Sequence, residues 1–274
     1  MFMNGNESEN AYEKNKEAIL QQIADRNERE RTYIRCGIKG EPKTYKTSIV
    51  LNSRTEEEIK AGKKVCILDW DNGAEVTWRA NYNADPNIII YNPNVTNADG
   101  SPNFKLSEEM AETFVRMVGD WAKAGDVKAF AIDGVDKWLV RCYDILTKGK
   151  KDTDFKFMPI MYGKRNRRYN LLLDRIDSLE CDVFYITHMK NVYDGINTTA
   201  PSKKTAYWHE TPPARFTSTI ETERLESKDG VDFIIRIESS KAYPDKIGHT
   251  HKVLTVSNGK VTHTDLDFIK EGKI

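Results

Sequence analysis

Between Gly40 and Ser48 the chain reads GEPKTYKTS, nearly the G-x-x-x-x-G-K-[ST] spacing that cradles phosphates. In such a loop, backbone N–H groups wrap the phosphate oxygens, and the N-terminus of the following helix adds partial positive charge. Lys46 can reach the outer phosphates and the Thr47 hydroxyl can bind Mg²⁺. The candidate nucleotide-binding residues are therefore Gly40, Glu41, Pro42, Lys43, Thr44, Tyr45, Lys46, Thr47 and Ser48. One position departs from the pattern, because Tyr45 stands where the second Gly belongs. If that position needs positive φ, Tyr costs on the order of 1–2 kcal/mol where Gly costs little. The loop then either tolerates the strain or holds nucleotide poorly. The bland alternative is a strand–loop–helix with a chance Gly and a chance Lys-Thr.

Three further apolar runs end in polar groups. Lys64–Leu68 runs into Asp69-Trp70-Asp71, Val127–Ile132 ends at Asp133, and Val183–Thr187 ends at His188. In open α/β sheets ligands bind beyond the carboxyl ends of the strands, so these ends are candidates for one site. Asp133 reads as the carboxylate that holds Mg²⁺ through water, beside Thr47. Gly134, not Glu, follows it, so a water-activating carboxylate must come from elsewhere. Asp69 and Asp71 offer one. Asp69 continues the strand alternation, which makes Asp71 the better candidate, although both could cap a loop. His188 is placed to sense a γ-phosphate and pass that state to the following loop, or else to bond backbone.

The elements that must position these groups are legible as periodicities. Tyr33–Ile38 is β-rich, a helix is expected from Thr47 to about Lys60 with Gly62 as C-cap, and Asn87–Tyr91 is another strand. Leu106–Ala124 is amphipathic, with Ser107 as N-cap and Met110, Phe114, Met117 and Trp121 on one face. Trp138–Leu146 and the run Tyr169, Leu172, Leu173, Ile176, Leu179 predict two more helices. Asn191–Pro213 reads as a long polar loop, and the remainder as hairpins. The expectation is a charged N-terminal arm over 1–30 and one α/β domain over 31–274. Its core, about 31–190, is a mostly parallel sheet with helices on both faces, and antiparallel strands are added over about 215–265.

Bulk properties exclude several classes. Lys+Arg and Asp+Glu are 42 each, so nucleic-acid binding would need a local patch, not a global field. With 39% hydrophobic and 31% charged residues the composition is that of a globular protein, not a disordered one. No apolar run is long enough to span a bilayer and the N-terminus has no apolar core, so a cytoplasmic location without membrane contact is expected. Cys36, Cys66, Cys142 and Cys181 form no C-x-x-C pair and read as buried, reduced residues. His249 and His251 alternate on one strand without a third ligand and read as surface residues.

Taken together, GEPKTYKTS, AGKKVCILDWDNGAE, KAFAIDGVDKW and FYITHMK resemble the RecA-like P-loop ATPases, over about Ile34–Lys190. They look most like the small phage versions that act in recombination and single-strand annealing. The resemblance implies ATP and Mg²⁺ as ligands. It gives Lys46, Asp71 and His188 catalytic roles, and Thr47 and Asp133 the metal. The family more often has Glu at the position of Asp71 and Gln at that of His188. It also implies two loops that contact single-stranded DNA. The first, about Thr147–Arg168, carries Lys148, Lys150, Lys151, Lys156, Lys164, Arg165, Arg167 and Arg168 among Phe155, Phe157 and Tyr162. The second, about Asn191–Phe216, carries Lys203, Lys204, Tyr207 and Trp208. A homo-oligomer, ring or filament, is implied, with a cation from the adjacent subunit: Lys241 first, Arg236 next. A single-strand-binding or replication protein is a further expected partner. Rival readings are a helicase-like motor of the same fold, a nucleotide-binding interaction module with little hydrolysis, and a small-molecule kinase. The last is disfavoured by the absence of an Arg-rich lid.

Overall fold

Short runs of apolar residues make the centre of the sheet, because a strand covered by helices on both faces needs no polar alternation. They are β1 (Arg35–Gly40), β2 (Lys64–Asp69), β3 (Ile88–Tyr91), β4 (Val127–Asp133) and β5 (Asp182–Val192). Every residue of β4 is buried. The computed structural model describes residues 5–28, 32–82, 84–150, 159–192, 203–207, 212–228, 230–258, 260–264 and 266–274. Five more strands follow: β6 (Lys203–Ala206), β7 (Ser218–Ser227), β8 (Gly230–Ser240), β9 (Thr250–Ser257) and β10 (Lys260–His263). Among the described residues the sheet order is β10-β9-β8-β7-β1-β5-β4-β2-β3, with β6 on β5. Strands β7, β1, β5, β4, β2 and β3 pair in parallel, and β8 to β10 add antiparallel to β7. This is the expected RecA-like α/β architecture, with β5 inserted between the phosphate-loop strand and the Asp133 strand.

The chain divides into two compact units, Met1–Thr32 and Tyr33–Ile274. The first contains α1 (Gly5–Glu28), so most of the charged arm expected over 1–30 is helical. In the second, α2 (Lys46–Leu51), α3 (Glu56–Lys60), α4 (Ala74–Asn81), α5 (Phe104–Lys123), α6 (Val135–Thr147) and α7 (Pro159–Asp177) alternate with the strands. Two short helices, α8 (Pro212–Arg215) and α9 (Asp267–Lys270), follow. One face of the sheet buries Ile38, Ile67 and Ile186 against Ile49 and Val50 of α2. The other buries Phe130, Ile132 and Tyr185 against Phe114, Val118, Trp138 and Leu172.

Several local expectations are corrected. The helix predicted from Thr47 to Lys60 is two helices, because Thr55 stops the chain and restarts it with a capping box to Glu58. Gly62 then turns the chain at φ 70°. Asn103, not Ser107, caps α5, since its side chain accepts from Leu106 N. Ser107 is buried one turn later, accepting from Val95 N and donating to Asn103 O. The buried stripe of α5 is Ala111, Phe114, Val115, Val118 and Ala122, which leaves Met110 and Met117 exposed. Strand β5 does not end at His188. Its parallel partner β1 stops at Gly40, opposite His188, so the next residues leave the parallel register. Met189–Val192 pair antiparallel with β6, which lies inside the segment expected to be loop. His249 is exposed, but His251 is half-buried and its ring stacks 4.3 Å from that of Phe268. The four cysteines are buried and unpaired, and burial pushes the Cys36 and Cys66 thiols up to about 12.

Candidate nucleotide site

The loop after β1 is fastened before it reaches its lysine. Thr44 Oγ1 donates to Glu41 O at 2.8 Å and shares a 2.6 Å hydrogen bond with Thr222 Oγ1 of β7. Gly40 lies so close to Thr222 that any Cβ would meet its side chain and its carbonyl. Tyr45 has φ 63° and ψ 26°, so the position does demand the left-handed conformation that favours Gly. Its ring packs on Phe233 with centroids 4.5 Å apart, and that apolar contact offsets the strain.

Lys46 and Thr47 then open α2. Lys46 is buried, and its ammonium donates to Gly40 O at 3.1 Å and Glu41 O at 2.8 Å. Burial lowers its pKa, while Asp133, Asp71, Asp136 and Glu41 pull it back up. Thr47 Oγ1 donates to Asp133 Oδ2 at 2.6 Å. Burial pushes the Asp133 carboxyl up to about 6, against the pull of that hydrogen bond. The two oxygens suit a Mg²⁺ site that phosphate and water would complete. Among the described residues no group of three or more His, Cys, Asp or Glu side chains forms a separate metal site. A cavity of about 450 Å³ opens over these groups, lined by the loop from Pro42 to Ser48 and by Asp71, Asp133 and His188.

The chain after Asp133 explains why no carboxylate follows it. Gly134 sits at φ 87° and ψ 51°, where a Glu would be strained. The choice between Asp69 and Asp71 is also decided by geometry. Asp69 is buried and accepts from the backbone N–H of Asp71, Asn72 and Ala74 at 3.1, 2.8 and 2.9 Å. It therefore builds the turn into α4, and burial raises its pKa. Trp70 stacks on Trp138 at 5.2 Å in the core, which turns Asp71 toward the cavity.

Asp71 meets His188 there, with Oδ2 3.4 Å from Nε2. Lys137 Nζ lies 3.8 Å from the same carboxylate. On its other side His188 Nδ1 is 3.2 Å from Asp136 Oδ2. The hydrogen bonds that the ring donates to Asp136 and then to Asp71 outweigh burial and raise His188 to about 9. The His188 hydrogen bond in turn lowers Asp71. Asp136 was not a sequence candidate. Its signal was its place in the first turn of the helix that follows the strand end at Asp133. Thr77 and Asn81 of α4 also line the cavity and were not candidates.

The expected DNA loops are placed differently. Lys164, Arg165, Arg167 and Arg168 are not in a loop but on α7. Arg168 pairs with Glu108, and Arg165 bonds Asn166 Oδ1 and lies over the Tyr162 ring at 5.2 Å. Lys164 and Arg167 remain exposed. Lys151, Phe155, Lys156, Phe157 and Trp208 lie outside the described residues. In the second segment Lys203 opens β6, and Lys204 Nζ is 2.7 Å from Glu41 of the phosphate loop. Arg236, one candidate for a cation acting on a neighbouring subunit, is held within its own chain by an ion pair with Glu223, its near neighbour across the β7–β8 ladder. Lys241 is exposed beyond the end of β8.

No protein-family model matches the chain, and no curated protein matches it. Among solved structures it is similar to a KaiC-like protein from the hyperthermophilic archaeon Pyrococcus horikoshii, at 14% identity. The match covers 84% of this chain and 89% of that one, with a TM-score of 0.47. At that similarity the site's own geometry, not the neighbour, has to carry the function. Among the described residues no helix is long and apolar enough to cross a membrane.

Proposed function

We propose that this chain is a Mg²⁺-dependent ATPase that works as a homo-oligomer on single-stranded DNA, in recombination, annealing or replication. The observation that carries the nucleotide half is the 2.6 Å contact of Thr47 with Asp133 beside the buried Lys46, at the mouth of one cavity. A lysine that is buried with only carbonyl hydrogen-bond acceptors and a hydroxyl–carboxylate pair fit a phosphate–metal ligand. A Mg²⁺ ion, when bound, would supply positive charge against the charge that develops on phosphate. Thr47 and Asp133 would hold the metal, and the loop from Pro42 to Ser48, which lines the cavity, would take the phosphates. Lys46 supplies fixed positive charge. Asp71 orients and deprotonates the attacking water, and His188 reports the phosphate state to the β5–β6 ribbon. The DNA half rests on exposed Lys164 and Arg167 on α7 and on the cationic ribbon beside the site. Lys241 is the remaining candidate for a cation offered to a neighbouring subunit.

A second reading is favoured by two specific features. Tyr45 is strained, and Asp71 is already paired with His188, so the chain would bind nucleotide as an interaction module and turn it over slowly. One experiment separates the two. ATP turnover is measured for wild type and Lys46→Ala, with and without single-stranded DNA. DNA-stimulated turnover that drops at least about 100-fold in the variant supports the ATPase. ATP binding without turnover in either condition supports the module.

A further inference from the structure

Asp136 has no part in that reaction, yet its side chain is only 3% exposed. A carboxylate so buried must be hydrogen-bonded. From the first turn of α6, its Oδ2 lies 3.2 Å from His188 Nδ1 and its Oδ1 3.4 Å from Thr187 Oγ1. One carboxylate thus grips two successive residues where β5 leaves the parallel sheet. Across the ring, His188 Nε2 faces Asp71, whose side chain is 34% exposed on the cavity wall. A neutral imidazole has one N–H, so only the imidazolium can donate to a carboxylate at each nitrogen. The charged groups acting on the ring are Asp136 from α6, Asp71 from the turn after β2, and Lys46 from α2. The lysine opposes the imidazolium and the two carboxylates favour it.

We propose that Asp136 is a positioning residue that holds His188 as a cation through Nδ1 and keeps Nε2–H aimed at the phosphate end of the cavity. The proposal rests on the ATPase reading above and deepens it. Without nucleotide, Asp71 takes the Nε2–H bond and its carboxylate is tied up. The terminal phosphate of a triphosphate competes for that bond, the ring keeps its proton, and Asp71 is released to act on water. A diphosphate lacks the competing oxygens, so the Asp71–His188 pair stays closed. Asp136 thereby makes the site discriminate triphosphate from diphosphate.

The test uses the full chain, with ¹⁵N imidazole shifts of His188 recorded without nucleotide across pH. Affinities for ADP and a non-hydrolysable ATP analogue are measured with Mg²⁺. In wild type the ring is expected to stay doubly protonated up to about pH 8. In Asp136→Asn it should lose its proton at least about one pH unit lower. The triphosphate-to-diphosphate preference should fall about tenfold, the worth of one charge-assisted hydrogen bond. Asp136→Glu should recover part of both. An unchanged titration and preference in Asp136→Asn overturns the proposal. If that variant does not fold, His188→Gln decides, because retention of the full preference without a cation also overturns it. A wild type that binds neither nucleotide sinks the ATPase reading and the phosphate role with it. The apo titration then still decides whether Asp136 holds the ring.

Discussion

Tyr45 holds φ at 63°, a conformation that costs a residue with a Cβ roughly 1–2 kcal/mol relative to Gly. The same residue lays its ring on Phe233 and joins the core on that face. Truncating a fully buried aromatic costs about 3–5 kcal/mol, and a half-buried one correspondingly less. In Tyr45→Gly the lost packing should therefore outweigh the relieved strain by roughly 1 kcal/mol, a fall of about 2–4 °C in Tm for a domain of this size. Nucleotide affinity should hold or improve, because the loop N–H groups keep their geometry. A rise in Tm on thermal denaturation would mean that strain dominates, and that Tyr45 is retained for something other than packing.

At the scale of elements, hydrogen bonds and an ion pair join the site to the β5–β6 ribbon. Tyr207 N donates to His188 O at 2.8 Å, and Lys204 reaches Glu41 at 2.7 Å. The second is an exposed pair, with side chains 52% and 44% accessible, so it contributes at most about 1 kcal/mol. Lys204→Ala should raise amide exchange in the ribbon about two- to fivefold and leave the global Tm unchanged. Protection unchanged across 189–192 and 203–206 would show that the pair does not restrain the ribbon. On α7 only Lys164 and Arg167 are free of the contacts that engage Arg165 and Arg168. Replacing those two with Ala should lower the salt slope of single-strand binding by about 1.4, at about 0.7 for each phosphate no longer neutralised. An unchanged slope would remove this face of α7 from the DNA site.

Across the whole molecule, register gathers the chemistry. Gly40 stands opposite His188, and Asp133 opposite both Ile186 and Asp69, so β1, β2 and β4 end where β5 leaves the parallel register. The ion pairs formed there make stability depend on pH. His188 is raised from 6.5 to about 9, so its contribution is complete below 6.5 and is lost as pH rises through about 9. Asp71 is depressed, so its contribution is present above 3.8 and is lost as pH falls through its lowered value. The pair therefore supports the fold most between 3.8 and 6.5. In His188→Gln the decline in Tm between about pH 6.5 and 9 should flatten. Parallel Tm curves for variant and wild type would place the alkaline loss elsewhere.

The order of the core strands, the loop with Lys46 and Thr47, and the strand-end Asp133 were legible because each is a local pattern, whereas His188 is no strand end, since β5 runs on to Val192. An apolar run stopped by a polar residue marks a strand tip wherever the strand is later placed. Even the absence of a carboxylate after Asp133 was visible, although its cause, the left-handed Gly134, was not. Pairings between distant segments were left to the tertiary structure. Asp136 matters only because β4 lies beside β5, and Asp69 and Asp71 divide their roles only because Trp70 is anchored on Trp138. The basic run from Lys164 read as a loop because its polar side chains hide the helix, and Glu108 from α5 neutralises part of it. Charge, unlike periodicity, acts through space, so its partners are decided only once the sheet brings them together.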